Sequence, residues 1–483
     1  MAQGMIINGE VIQKKETLPV INPAEGREFD RVPRADVDDV SRAVKSAHSA
    51  HEKLYTTPLH LRAKLLSKVA ELIRQRIDEL AVVMTSETGK LLRDSKYELI
   101  RAAFIFDQAA IEGRRAFEGF FIPLDGYELP SGNEGRVAFT VREPLGVVAG
   151  IIPFNFPAAA LAHKVAPALA VANSVVLKPS ILAPITAMRI ARIIAEAGFP
   201  PGSVNVITGK SSEIGDALTE HEQVALVTFT GSSTVGLEMA SRAIKHGKRA
   251  IMELGGSDPL IVLEDANLEL AAKIAVKARF DYSGQFCNSA KRIIVRKEIA
   301  DEFVSHFSEL VSQLRVGDPN DPQSDIGPVI SEEVIGELDR AVADAVSKGG
   351  TLLIGGRRLQ KSGFFYPPTL IDHTPTSSLP LTTEIFAPLA PIVRVESDEE
   401  ALSIANSMEY GLDAAVFSTN FPRAYRLARR IRSGTVMIND STRLRWDSLP
   451  YGGVKKSGIG RESMRDTMLE MTEGKMIEVN VAG

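Results

Sequence analysis

The chain has 483 residues, of which 44% are apolar and 24% charged. This composition excludes disordered, fibrous and disulfide-stapled classes and predicts a folded chain of roughly two to four domains. Lys and Arg total 56 against 61 for Asp and Glu, a net charge of −5 without long runs, so the basic footprint that nucleic acid needs is missing. One cysteine, Cys287, excludes an intrachain disulfide and fits a reducing compartment. Residues 1–10 lack a basic segment followed by an apolar one, so no secretory leader is read, and a cytoplasmic protein with no membrane partner is expected.

In chain order, Leu61, Leu65, Leu66, Val69, Leu72, Ile73 and Ile77 recur at three- and four-residue spacing. They predict an amphipathic helix over 58–80, within a mainly helical N-terminal third. Residues 125–141 turn polar, then alternate through Val137, Phe139 and Val141, which predicts a hairpin excursion. The uncharged stretch 144–162 is interrupted by Pro144, Pro153, Asn155 and Pro157 and reads as a buried strand followed by a loop. Strands over 146–152, 174–177, 204–207 and 224–229 alternate with helical segments such as 185–197, which stops at Gly198 and Pro200. That βαβαβ order predicts a parallel sheet covered on both faces. A second α/β alternation runs from 260 to about 395, with a proline-rich segment over 367–391.

Several residues could carry chemistry. Strand 224–229 runs into Thr230-Gly231-Ser232-Ser233-Thr234-Val235-Gly236, whose small residues suit either a pyrophosphate at a helix N-terminus or an ordinary βα turn. Gly209-Lys210-Ser211 is not a phosphate loop, because Val204 stands where the first glycine is required. Cys287 follows a helical run among small and polar residues, as a nucleophile or as a small buried apolar group. Glu253 ends an apolar strand, where it is either a working carboxylate or a capping or salt-bridged acid. Asn155, between Phe154 and Phe156, reads as an amide facing an oxyanion or as a satisfied turn residue. The eight histidines show no metal-ligand grouping, and His48 and His51 read as a solvated helix face.

Taken together, these segments resemble the aldehyde dehydrogenase superfamily. The matching motifs are Pro153-Phe154-Asn155-Phe156-Pro157, Leu177-Lys178-Pro179-Ser180, Phe229-Thr230-Gly231-Ser232, Glu253-Leu254-Gly255-Gly256, Gly284-Gln285-Phe286-Cys287, Glu384-Ile385-Phe386 and Tyr451-Gly452-Gly453-Val454-Lys455-Lys456-Ser457-Gly458, in the family's order. The resemblance implies an α/β fold: a Rossmann-like cofactor domain (1–123 and 146–252), a second α/β catalytic domain (253–460) and small β oligomerisation elements (124–145 and 461–483, with a terminal strand near 476–481). It implies a homo-oligomer, dimer or tetramer. It also implies that Cys287 attacks an aldehyde carbon, that Asn155 and the Cys287 N–H hold the oxygen, and that Glu253 activates water against the resulting thioester. Cofactor contacts would come from Lys178, Ser180, Ile181, Gly231, Ser232, Gly236, Gly255, Glu384, Phe386 and Phe154.

Three positions depart from the pattern. Ile181 stands where NAD-preferring members commonly carry a glutamate, which points to NADP use at least equal to NAD use. Ala387 replaces a usual glycine, and Phe154 a common tryptophan. At the expected substrate mouth lie Arg443, Arg445 and Tyr451, with Phe156, His163 and Phe286 facing the tunnel. Two arginines there point to a short polar or anionic aldehyde of the lactaldehyde, glyceraldehyde, semialdehyde, sulfo- or phospho-aldehyde type, or to surface arginines in a subunit contact. The rival readings are a CoA-acylating semialdehyde dehydrogenase, which would usually lack Glu253, a silent binding protein on the same fold, and a cysteine hydrolase.

Overall fold

Five parallel strands form the centre of the first sheet, in the spatial order Arg249–Glu253, Val224–Thr230, Val147–Ile152, Ser174–Pro179 and Val204–Val206. The structure, a computed structural model, describes residues 4–481; expectations reaching residues 1–3 and 482–483 lie outside the described residues. Along Val147–Ile152 successive side chains enter different cores, Val148 and Ile152 on one face and Val147, Ala149 and Ile151 on the other. Both faces are covered, so the strand reads as one continuous apolar run instead of an alternating one. Chain order reverses between Val147–Ile152 and Val224–Thr230, which creates the crevice at their carboxyl ends where open parallel sheets bind ligands.

The second sheet has the order Thr351–Ile354, Thr369–Asp372, Leu389–Val395, Ala290–Arg296, Asp258–Val262, Asp413–Phe417 and Thr435–Ile438. All its pairings are parallel except the one at the Thr351–Ile354 edge. It extends beyond the alternation expected to stop near 395, because Asp413–Phe417 and Thr435–Ile438 add to its far edge. Only Leu254-Gly255-Gly256-Ser257 separates the last central strand of the first sheet from the first strand of the second.

Two expectations need correction. The helix predicted over 58–80 is two helices, Leu59–Gln75 and Ile77–Thr88, broken where Arg76 leaves helical geometry at φ −118° and ψ 17°. Residues expected as a loop after 152 include the start of the helix Pro157–Ala170, with Pro157 in its first turn, where a missing N–H costs nothing. Residues 4–112 hold four α-helices but also four short strands, of which Met5–Ile7 and Glu10–Ile12 extend the first sheet. The polar excursion folds as a hairpin of Phe121–Pro123 with Arg136–Pro144, and Thr472–Asn480 pairs antiparallel along the whole of Arg136–Pro144. No helix among the described residues is long and apolar enough to cross a membrane.

Candidate active site

The carboxyl end of the first sheet and the amino end of the second enclose a cavity of about 490 Å³. From the first sheet, the segment after Ile152 supplies Phe154, Asn155 and Phe156, and the turn after Thr230 supplies Gly231 and Ser232. From the second, Gly255, Cys287, Glu384 and Phe386 each stand a few residues before a strand begins. His163, Phe286, Arg443, Arg445 and Tyr451 also face this space. Glu253, Lys178, Ser180, Ile181 and Gly236 do not.

The loop that carries Cys287 is held in an uncommon backbone shape. Tyr282, Ser283 and Gly284 have φ of 46°, 56° and 70°, three successive left-handed residues after the helix Leu268–Phe280. Such geometry costs about 1–2 kcal/mol per non-glycine residue and persists only where surroundings over-determine it. They do so here: the Tyr282 hydroxyl donates to Thr88 O at 3.0 Å, Ser283 Oγ to Gly327 O at 2.7 Å, and Ile330 N to Gln285 Oε1 at 2.9 Å. A Cβ at Gly284 would lie within 2.7–2.9 Å of Arg279 and Ala387 atoms.

Cys287 Sγ lies 3.6 Å from the Tyr451 hydroxyl. Burial pushes its thiol up to about 11, against the opposing pull of the Tyr451 hydrogen bond and the Lys291 charge. Asn155 Nδ2 donates to Gln285 O at 3.0 Å, which fixes the amide and leaves its second N–H for another acceptor. Behind it, Lys90 Nζ donates to Asn155 O at 2.8 Å and pairs with Glu98, whose other oxygen accepts from Ala158 N and Ala159 N at 2.9 and 3.1 Å. The carboxylate thus caps the helix Pro157–Ala170 while the lysine steadies its entry.

Glu253 ends its strand with its carbonyl accepting from Gly231 N at 3.1 Å, so strand end and glycine turn are tied together. Its carboxyl is buried, turned toward Gly452, and Oε1 makes no hydrogen bond to any described residue. Burial, with the nearby Glu462 charge, holds Glu253 protonated well above the usual carboxylate range. Glu462 is also buried but stays ionised, because the charges of Lys164, His163 and Arg445 outweigh the cost of burial. Lys164 Nζ is 3.3 Å and Arg445 Nη2 2.9 Å from that carboxylate.

Both mouth arginines already have acidic partners. Arg443 pairs with Asp281 and lies 3.8 Å over the Phe286 ring; Arg445 lies 4.0 Å over Tyr451. The Nε of each is buried without a hydrogen bond to any described residue, although Arg445 Nε lies 3.7 Å from Asp447 Oδ1. His163 is buried, its Nε2 2.9 Å from Asp447, which also binds Arg101. Arg101, Lys90, Glu98, Lys164, Glu462 and Lys291 were not singled out from the sequence. Lys164 had a legible signal, as the sole lysine in the helix Pro157–Ala170, which is apolar apart from it and His163.

The residues present fit a dinucleotide. The helix Ser233–Lys245 begins without a side-chain cap, leaving first-turn N–H groups for phosphate. At Gly255 any side chain would collide with the Glu384 carboxylate, which accepts from Gly256 N at 3.2 Å. Gly236 packs beneath Leu254 and Phe229, keeping the helix against the strand. Lys178 is buried at its strand's end with Nζ 3.5 Å from Pro179 O and no carboxylate partner among the described residues, and burial lowers it to about 8. Beside it, Ser180 Oγ accepts from Leu182 N at 3.3 Å and Ile181 packs on the first core. No cluster of three metal-ligating side chains occurs among the described residues.

The sequence model of the aldehyde dehydrogenase family matches residues 11–477. A 3-sulfolactaldehyde dehydrogenase of Priestia aryabhattai is 38% identical over 479 residues, covering 99% of this chain and 98% of that protein. A lactaldehyde dehydrogenase of Methanocaldococcus jannaschii is 37% identical over 482 residues, covering 99% and 100%. The crystal structure of an NADP-dependent glyceraldehyde-3-phosphate dehydrogenase from Bacillus halodurans, complexed with NADP, superposes with a TM-score of 0.96 at 35% identity over 100% of both chains.

Replacing Gly284 by alanine forces a side chain into the left-handed region and against Arg279 and Ala387. The expected loss of stability is about 2 kcal/mol, read by thermal unfolding. An unchanged midpoint would show that the loop accommodates the Cβ.

Proposed function

The chain belongs to the aldehyde dehydrogenase family, and from that premise we propose that it oxidises a short polar or anionic aldehyde to the carboxylic acid, with NADP used at least as well as NAD. The observation that carries the reading is the meeting of Cys287, the free N–H of the Asn155 amide and the Glu384 carboxylate around one cavity. In this reading the Cys287 thiolate forms a bond to the aldehyde carbon, and the carbonyl oxygen takes up charge against the Asn155 amide and the Cys287 N–H. The nicotinamide, when bound, supplies the two-electron acceptor. The thioester left on Cys287 is cleaved by water that gives its proton to Glu253, once that side chain turns from Gly452 toward the cavity. Gly231, Ser232 and the first turn of Ser233–Lys245 would hold the pyrophosphate, and Glu384 the ribose beside the nicotinamide, with Phe386 and Phe154 flanking the ring.

Lys178 supports NADP, since a buried ammonium without a carboxylate partner suits a 2′-phosphate and Ile181 offers no charge to repel one. The Nε donors of Arg443 and Arg445, which make no hydrogen bond to any described residue, support an anionic or polar tail on the aldehyde. A homodimer or homotetramer is part of the proposal. Phe121, Leu129, Met476 and Val481 lie on or next to the small three-stranded sheet and are 64–82% exposed, except Met476 at 63%. A free Cys287 thiol suits the cytoplasm.

The reading is tested by NAD(P)H formation over matched anionic and neutral short aldehydes, beside Cys287→Ala, which should be inactive. Arg443→Ala and Arg445→Ala should each raise the KM of the anionic aldehyde about tenfold and leave that of its neutral isostere unchanged; equal effects on both would remove the anion clamp. Ile181→Glu should lower kcat/KM with NADP at least about tenfold relative to NAD, through like-charge contact with the phosphate. Because Cys287 and Glu253 both give up their protons late, kcat/KM should climb steadily from about pH 6 to about pH 9. A profile falling over that range would contradict the assigned roles.

A further inference from the structure

Lys291 stands one residue into the strand Ala290–Arg296, and its side chain is 1% exposed. Nothing in the mechanism above uses it. A buried ammonium needs all three N–H groups satisfied, and here each has a partner. Nζ lies 2.7 Å from Phe286 O, 2.7 Å from Cys287 O and 3.1 Å from Glu384 Oε1.

The first contact bears on the chemistry. A trans peptide is planar, with its C=O and N–H pointing in opposite directions. An ammonium on the Phe286 carbonyl therefore fixes the plane of the Phe286–Cys287 peptide and aims the Cys287 N–H to the other side. A charged donor on that carbonyl also polarises the amide, which makes its N–H the stronger donor. The third contact joins this peptide to Glu384, the carboxylate that faces the cavity.

We propose that Lys291 is a positioning residue that sets the aim of the Cys287 N–H and links it to the occupancy of Glu384 through one buried ammonium. The inference rests on the roles given above to Cys287 and Glu384. When ribose hydroxyls donate to Glu384 they take up part of its charge, and the ammonium turns more fully to the two carbonyls. The charged and titratable groups around this point are Tyr451, Asp258 and Asp413 near the thiol, and Glu384, Asp258 and Asp413 near Lys291 itself.

As the chain has one cysteine, alkylation by iodoacetamide reads this site directly, by mass spectrometry of the Cys287 peptide against pH, with and without saturating NADP. In Lys291→Met, kcat should fall on the order of 100-fold, as when one oxyanion donor is lost, while the aldehyde KM stays within about threefold. Alkylation at pH 8 should slow about tenfold, its pH profile should move to higher pH, and the response to NADP should vanish. Lys291→Arg should recover at least about tenfold of the lost kcat. A variant with wild-type alkylation profile and NADP response, whatever its activity, overturns the proposal. If Lys291→Met does not accumulate folded, Glu384→Gln decides: with NADP binding verified by calorimetry, a persisting NADP effect on alkylation overturns the link and its loss supports it. Aldehyde oxidation surviving in Cys287→Ala would instead defeat the proposed function.

Discussion

Two parallel sheets laid end to end present unlike edges to each other. The carboxyl edge of the first brings strand ends and helix N-termini; the amino edge of the second brings the loops that lead into its strands. The connection Leu254-Gly255-Gly256-Ser257 is too short to let these edges separate. The rest of the site depends on this constraint. Asn155 and the glycine turn arrive from one edge, Cys287 and Glu384 from the other, and the cavity is what lies between. Glu253 is the last residue before the junction, which explains how a carboxyl group is carried into an apolar interior: the strand beneath it is anchored on both sides, to Thr230 and to Gly458.

Around the cavity, buried charges are arranged in pairs that also hold backbone. Lys90 and Glu98 together grip Asn155 O and the first N–H groups of Pro157–Ala170. Arg279 holds backbone without an ion-pair partner among the described residues: it reaches Leu389 O, Ser289 Oγ and Ile385 O at 2.6, 2.8 and 3.1 Å, joining the Cys287 loop to the Glu384 loop. Such pairs add little net stability over an apolar core, yet losing one partner leaves an uncompensated charge at a cost of about 3–5 kcal/mol. Their value here is geometric, since each fixes a carbonyl whose peptide carries a group that faces the cavity.

Much of this was legible in the sequence, because the residues that end strands or open helices sit in short motifs with distinctive glycines and prolines. The parallel sheet followed from the alternation of short strand-like runs, such as 146–152 and 174–177, with helical ones. The helix beginning at Pro157 was not read, since prolines at 153 and 157 look alike in sequence and only one occupies a helix first turn. The partners of Arg443 and Arg445 were equally hidden: Asp281 and Glu462 are 162 and 17 residues away, and nothing local marks them. Lys291 escaped notice for a related reason. A lysine at a strand start reads as a solvated edge until the strand is seen to be central, with Leu389–Val395 and Asp258–Val262 on either side.

The pairing of Arg136–Pro144 with Thr472–Asn480 joins segments distant in the chain, and Arg142 Nε donates to Thr472 Oγ1 across 330 positions. The first sheet likewise gains one of its two edge strands from Gly458–Ile459. On a ribosome adding roughly 5–20 residues per second, the inserted hairpin therefore waits on the order of 15–65 s for its long partner. During that interval its unpaired edge and apolar side chains must be kept from other nascent chains. The small sheet is thus completed only after every strand of both larger sheets has been made, and the demand for protection falls on the hairpin until residues 472–480 emerge.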